Sequence, residues 1–268
     1  MPTLAASSII PAGMPLPDAD PLFYLLAVVA VILLGLSKGG FFGLGVMAIP
    51  LMSLYVPPLQ AAAILVPTLL AQDALTVWSY RHDWSAWDLA IMIPSMAVGV
   101  AVGTLFAATM SPAQVRLAVG IIAVAFVLWQ WLGRRFKPLA ARANAVTAVL
   151  FGALGGFTTL VANAGGPAWQ MHLLPRRLDK LSYAGTLTIL FAASDIIKLP
   201  AYGALGQLTI ANLTVGAALL PVAIVANWTG LWLVRRTPTA MFFRIAYVLM
   251  FAIGIELIRG AVTELLAK

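Results

Sequence analysis

Two acids and two bases sit inside stretches of this chain that are otherwise apolar. Asp73 lies in Gln60–Tyr80 (QAAAILVPTLLAQDALTVWSY) and Asp195 in Ser182–Tyr202 (SYAGTLTILFAASDIIKLPAY). A charged carboxylate costs about 2.5–3.5 kcal/mol at the centre of a membrane helix, so each acid must be paired, hydrated or protonated. Lys198 follows Asp195 by three positions, on one helical face, so a local ion pair is available there. Asp73 has no base at that spacing; its candidate partner is Lys38, or a proton. Gln72 and Ser194 directly precede the two acids and add polar surface. Such a set suits proton coupling or the organisation of a substrate site, and the plainer alternative is an ion pair that locks helices together.

Lys38 stands in Gly35-Leu-Ser-Lys-Gly-Gly-Phe-Phe-Gly-Leu-Gly45, where five of eleven residues are glycine. Each glycine weakens a helix interior by about 1 kcal/mol relative to alanine, so a helix is expected to unwind here and restart. Free N–H groups at a helix start, beside an ammonium, make an anion site. Gly152-Ala-Leu-Gly-Gly156 followed by Asn163-Ala-Gly-Gly-Pro167 offers the same breaker chemistry, with Asn163 as a neutral donor and Pro167 suited to the first turn of a new helix. Close packing of helices through small residues is the other use of such glycines.

The elements that must position these groups are membrane spans. The 268 residues are 62% hydrophobic and 9% charged, against about 25% charged in soluble domains. No polar stretch is long enough to form a soluble domain. Apolar runs long enough to cross a roughly 30 Å hydrocarbon core recur along the chain. They fall at Pro21–Ser37, Gln60–Ser79, Trp87–Ala108, Gln114–Gly133, Asn144–Ala162, Ser182–Ala201, Asn212–Val234 and Met241–Ile258. Gly39–Val56 and Asn163–Leu174 are shorter or rich in Gly and Pro, and each follows the first span of its half. The halves resemble each other. Asp73 aligns with Asp195 and Tyr80 with Tyr202 at one offset, and Pro94 meets Pro221, and Ser111-Pro112 meets Thr237-Pro238, at nearly the same offset.

Basic residues set the orientation. Arg134, Arg135, Lys137 and Arg142 cluster between the halves; Arg176, Arg177 and Lys180 form a second cluster, Arg235 and Arg236 a third, and Arg81 a fourth loop. The links Pro57–Leu59, Ala108–Ala113 and Gly203–Ala211 carry no Lys or Arg. With every basic loop cytoplasmic, the chain threads as ten crossings, the short segments included singly or as broken pieces. Eight spans with two re-entrant segments is the alternative. Five segments per half is an odd number, so the second copy enters from the opposite side, and charge bias alone predicts an inverted repeat.

The remaining candidates read as structural. His82 sits with Arg81 and Asp83 in a loop, His172 reads as packed or interfacial, and Glu256 can pair with Arg259. Trp78, Trp84, Trp87, Trp129, Trp131 and Trp232 fall near span ends as an aromatic belt. The chain has no Cys and only two distant His, which offers no metal or thiol constellation. Residues 1–20 lack Lys, Arg and an apolar core, and read as a short tail rather than a signal peptide.

Gly35–Pro50 (GLSKGGFFGLGVMAIP), the run LVPTLLAQD ending at Asp73, and Gly152–Pro167 resemble the TauE/SafE family, also called the sulfite exporter or TSUP family. The resemblance covers nearly the whole chain, and the G-x-S-K-G-G-F start is similar to the TauE branch in particular. It implies a bacterial inner-membrane permease, a probable exporter, for sulfur-containing anions: sulfite, sulfonates such as sulfoacetate, or thiosulfate. It also implies that the Gly-rich segments and nearby polar residues form the substrate region. The second copy carries Thr158, Thr159 and Asn163 and has no lysine at the Lys38 position, so a strictly symmetric site is not expected.

The expectation is an all-α integral membrane protein, a polytopic helical transporter with two inverted five-segment repeats that include two broken or short Gly/Pro-rich segments. The parts are a tail at 1–20, repeat 1 at 21–133, a basic cytoplasmic linker at 134–143 and repeat 2 at 144–268, with both termini periplasmic. Ser37, Lys38, Gly39, Gly40, Asn163, Gly165 and Gly166 are the expected substrate-binding residues. Gln72, Asp73, Ser194, Asp195 and Lys198 are expected to couple or organise the site. No cofactor, metal or nucleic acid is expected. The partners are a small anion and the lipid bilayer, and a homodimer is allowed although no residue argues for it. The alternatives are a carrier of another small anion such as a carboxylate, a membrane-embedded enzyme, which would need a clustered nucleophile or metal set, and a scaffold, which would leave Lys38 and Asp73 unexplained.

Overall fold

Apolar composition and helix-starting residues at the right places produce a helical bundle. The computed structural model describes residues 21–38, 44–132, 143–234 and 240–266. The tail at 1–20, Gly39, Gly40, the linker bases between 134 and 142, and Arg235–Arg236 lie outside the described residues. Helix α1 (Pro21–Lys38) is followed by a 3-10 turn (Leu44–Met47) that runs into the short α2 (Ala48–Met52). Then come α3 (Pro58–Tyr80), α4 (Ala86–Thr109), α5 (Pro112–Leu132), α6 (Ala145–Ala162), α7 (Gly165–Leu173) and α8 (Lys180–Ala204). The chain closes with α9 (Ile210–Ala218), α10 (Leu220–Val234) and α11 (Ala240–Leu266). Among the described residues six helices, α1, α3, α4, α5, α6 and α8, are long and apolar enough to cross a membrane, and α9 with α10 makes a seventh as one bent span.

The starts are encoded locally. Pro58 opens α3 where a missing N–H costs nothing. Ser85, Asn144, Asp179 and Thr209 cap α4, α6, α8 and α9 with side-chain oxygens that accept backbone N–H groups. Asn144 and Thr147 cap each other reciprocally. Hydrogen bonds from Ser182, first its hydroxyl and then its N–H, hold the exposed Asp179 carboxyl below the usual range.

Two features depart from the sequence expectation. Asn212–Val234 is not one straight span: α9 and α10 meet at a 47° bend. Pro221 explains it, because it lacks an N–H and its ring crowds the carbonyl four residues earlier. Nor does Gly152–Gly156 unwind. Helix α6 runs through it, and the break comes later, at Asn163, whose backbone is left-handed (φ 51°, ψ 32°). Asparagine tolerates that conformation better than most residues.

The glycines serve close contacts instead. A Cβ on Gly99 would strike the Ala153 carbonyl, one on Gly156 the Met96 carbonyl, and one on Gly152 the Ser95 hydroxyl, so α4 and α6 lie parallel with backbones nearly touching. Helices α5 and α11 run antiparallel, with Arg116 against Glu264 at one end and Phe126 against Tyr247 towards the other. Helices α3 and α8 are antiparallel too. The Ser85 N–H, just after α3, donates to Thr186 Oγ1 near the start of α8 at 2.8 Å, and Gln60 near the start of α3 donates to Asn212, just past α8, at 3.2 Å. Helix α1 packs on α10, where Gly35 meets Ala226 and Asn227.

Among the described residues the short segments do not form membrane-length helices. Helix α7 has nine residues and rises about 14 Å, less than half the hydrocarbon thickness. After Asn163 it doubles back along α6, with Trp169 against Gly155 and His172 bonded to Thr147. Both ends of this hairpin therefore face one side, where the basic residues Arg176 and Arg177 also lie.

Replacing Gly156 by Ala forces α4 and α6 apart, and is expected to cost about 1–3 kcal/mol of stability. Gly260, whose Cβ would meet nothing, is the control: Gly260→Ala is expected to be neutral or stabilising by up to about 1 kcal/mol. Thermal unfolding in detergent reads both.

Candidate functional site

Lys38 ends α1, and its ammonium lies between the two intramembrane acids. It donates to Asp73 Oδ1 on α3, and to Asp195 Oδ2 on α8 at 3.1 Å. Lys198, one turn beyond Asp195, brings its ammonium to 2.6 Å from Asp195 Oδ1, an ion pair off the axis of a hydrogen bond. Lys198 also donates to Asn163 Oδ1 at 3.0 Å and reaches Thr159 Oγ1 at 3.5 Å. Asp73, Asp195 and Lys198 are all buried, at 4%, 4% and 2% exposure. Two ammonium groups and two carboxylates thus form one formally neutral cluster joining α1, α3, α8 and the end of α6. It is not fully satisfied, since Asp73 Oδ2 is buried with no hydrogen-bond partner.

A cavity of about 20 Å³, room for roughly one water, opens beside the cluster. Ser37 and Lys38 at the end of α1, Gly45 of the 3-10 turn, and Asn163, Gly166 and Pro167 around the start of α7 line it. Leu34, Val46, Leu69 and Phe191 form its apolar wall. The Phe191 ring centre lies 5.5 Å from Lys38 Nζ, within cation–π range. The first turn of α7 (Gly165, Gly166, Pro167) follows directly from Asn163, so the positive end of that helix's dipole faces the cavity.

The structure gathers most, but not all, of the expected residues. Ser37, Lys38, Asp195, Asn163 and Gly166 line the cavity, with Asp73 and Lys198 directly behind. The Asn163 carboxamide oxygen accepts from Lys198. Gly165 instead packs against Trp169 and the Gly155 carbonyl. Gln72 donates to the Ala223 carbonyl on α10, and Ser194 to the Phe191 carbonyl of its own helix, so neither joins the ion cluster. Gly39 and Gly40 lie outside the described residues. Phe191 escaped the sequence reading. Its signal was its position four residues before Asp195, which puts both on one helical face.

A second buried polar cluster lies at the end that carries the basic residues. His172 Nε2 meets Asp88 Oδ1 at 3.0 Å, His172 Nδ1 meets Thr147 Oγ1 at 2.9 Å, and Arg176 approaches Asp88 Oδ1 at 3.1 Å. His172 is therefore a packed histidine, and it ties α7 to α4 and α6. Asp88 was missed because an acid three residues after a capping serine looks like an ordinary helix start. His82 is exposed, the belt tryptophans named above are all exposed, and Glu256 and Arg259 form a surface pair at 2.6 Å.

Residues 26–257 match the family model described as Sulfite exporter TauE/SafE. The chain belongs to the TauE/SafE family. No curated protein sequence and no solved structure matches it. The match covers both helix breaks, both intramembrane acids and both lysines, so the ion cluster is part of a TauE/SafE membrane transporter.

Removing Lys38 leaves Asp73 with no counter-charge among the described residues. Lys38→Ala in this TauE/SafE protein is expected to cost about 3–5 kcal/mol of stability. Adding Asp73→Asn to Lys38→Ala is expected to recover a large part, because the orphaned charge is gone. A double-mutant cycle on thermal unfolding checks the coupling.

Proposed function

We propose that this chain carries small sulfur-containing anions, sulfite or organosulfonates such as sulfoacetate, across the bacterial inner membrane by alternating access, as an exporter. The observation that carries the reading is Lys38. It is a buried ammonium at the end of one broken helix, facing the first turn of another across a cavity. An oxyanion seated there would take charge-assisted hydrogen bonds from Lys38, with Ser37 and the Gly166 N–H as neutral donors. Asp73 and Asp195 hold the lysine at that point until an anion competes for it.

An inverted repeat is the reading of the scaffold. It is supported by reciprocal packing. Helices at equivalent places in the two halves, α3 with α8 and α5 with α11, lie against each other and run antiparallel. Helix α1 packs on α10, the counterpart of α4, while α6 packs on α4. Swapping the halves maps each contact onto another. The acids then stand on either side of a pseudo-twofold axis, and rocking one half against the other would open the cavity to alternate faces. Arg81, Arg176 and Arg177 lie towards one end of the bundle, which supports a cytoplasmic assignment for that end and periplasmic termini.

Counterflow in proteoliposomes against sulfite, sulfoacetate, thiosulfate and acetate tests the substrate. The sulfur anions are expected to exchange and acetate is not; preferential exchange of acetate would replace the sulfur reading with a carboxylate one. Lys38→Ala is expected to lower flux at least about 100-fold, in line with losing a charge-assisted contact and its orientation. Unchanged flux in that variant removes the anion site from Lys38.

A further inference from the structure

The ion cluster is neutral before an anion arrives, and this fixes what must arrive with the anion. Lys38 is shared between two carboxylates that are not equally provided for. Asp195 has a second ammonium, Lys198, 2.6 Å away. Among the described residues Asp73 has one ammonium, Lys38. Its other oxygen, Oδ2, is buried with no hydrogen-bond donor among them. The neighbouring polar groups are committed elsewhere. Thr76 donates to the carbonyls of Gln72 and Asp73 on its own helix, the Gln72 amide goes to Ala223 on α10, and Tyr202 of α8 donates to the Leu160 carbonyl on α6. From α9, Asn212 pairs with Gln60 at the far end of α3. Among the described residues the charged groups facing Asp73 are therefore Lys38 of α1 and the Asp195 carboxyl of α8, which it meets directly, with Lys198 behind that.

An anion entering the cavity draws Lys38 towards itself. Asp195 then keeps Lys198, while Asp73 is left as a bare carboxylate in an apolar interior. Burying an unpaired charge is costly enough that the group neutralises instead. We propose that each anion is carried together with one proton, and that this proton resides on Asp73. Lys38 remains an ammonium throughout: it exchanges one carboxylate contact for the anion, and a proton from bulk solvent, relayed through cavity water, binds the freed Asp73. That proton cancels one unit of the negative charge the anion brings. When the anion leaves, Lys38 returns to Asp73 and the proton is released on the same side as the anion. Asp195, still paired, does not titrate in the cycle. The two aligned acids thus have different jobs, and the difference comes from Lys198, which has no equivalent on α3, where Thr76 stands.

This rests on the transport reading above, and the experiment separates the two. Proteoliposomes with a trapped pH dye receive gradients of labelled sulfoacetate and of thiosulfate, neither of which titrates near neutral pH. Counterflow exchange is measured first; its absence for every probe overturns the transport reading and this proposal with it. Where exchange occurs, net flux of the wild-type protein is expected to move about one proton with each anion, in the same direction. Anion flux without a pH change overturns the coupling and leaves the transport reading standing. Asp73→Asn is expected to drop the proton-to-anion ratio of the remaining flux to near zero, whereas Asp195→Asn lowers the flux but keeps the ratio. A ratio preserved in Asp73→Asn and lost in Asp195→Asn assigns the proton to the other acid and overturns the proposal. If a variant fails to fold, the wild-type ratio still decides the coupling.

Discussion

A single ammonium shared by two carboxylates in an apolar interior is the constraint on which the rest depends. None of the three groups is stable there alone. Together, with Lys198, they form a neutral cluster whose attraction offsets the loss of water, provided the geometry holds. That condition requires the end of α1, the middle of α3 and the middle of α8 to meet at one point, although Lys38 and Asp195 are 157 residues apart in the chain. The interaction is long-range, and a small cavity with an apolar wall that includes Phe191 lies beside it.

The scaffold delivers that meeting point through close backbone contacts rather than large interlocking side chains. Lipid tails are as apolar as leucine, so helices gain little by hiding from lipid and associate through dense packing and a few polar links. Gly99, Gly152 and Gly156 serve that packing between α4 and α6. The polar links are placed at element ends: Ser85 to Thr186, Gln60 to Asn212, and the His172–Asp88–Thr147 cluster. The last of these anchors α7 at its far end while its first turn faces the cavity. The short helix is therefore fixed at one end and lies against the ion cluster at the other. Pro221 interrupts its helix at the bend between α9 and α10, whereas Pro94 of α4 is accommodated within one.

The elements were legible because they are governed by local chemistry. Span ends agree to within a few residues at most boundaries, since Pro58, Asn144, Asp179 and Thr209 start helices by interactions within one turn. The Asp195–Lys198 pair was legible for the same reason, being three residues apart on one helix. Asp88 and Phe191 were not, because what singles them out is a neighbour on another helix: His172 for one, Lys38 for the other. The glycines of Gly152–Gly156 were legible as special but not as to use. Unwinding and close packing demand the same residue, and only the presence of α4 chose between them.

The sequence by itself determined a helical membrane protein of the TauE/SafE family with two acids inside apolar stretches and a helix break near Asn163. Composition, caps and motif spacing are sufficient for that, because each acts within a few residues. Only the tertiary structure decided that Lys38 serves both acids, that Asn163 turns its oxygen to Lys198, and that Asp73 keeps one oxygen without a partner. Those are statements about which charges meet. In an interior where an unpaired charge is costly, the meeting depends on the packing of four helices at once and not on any one stretch of chain.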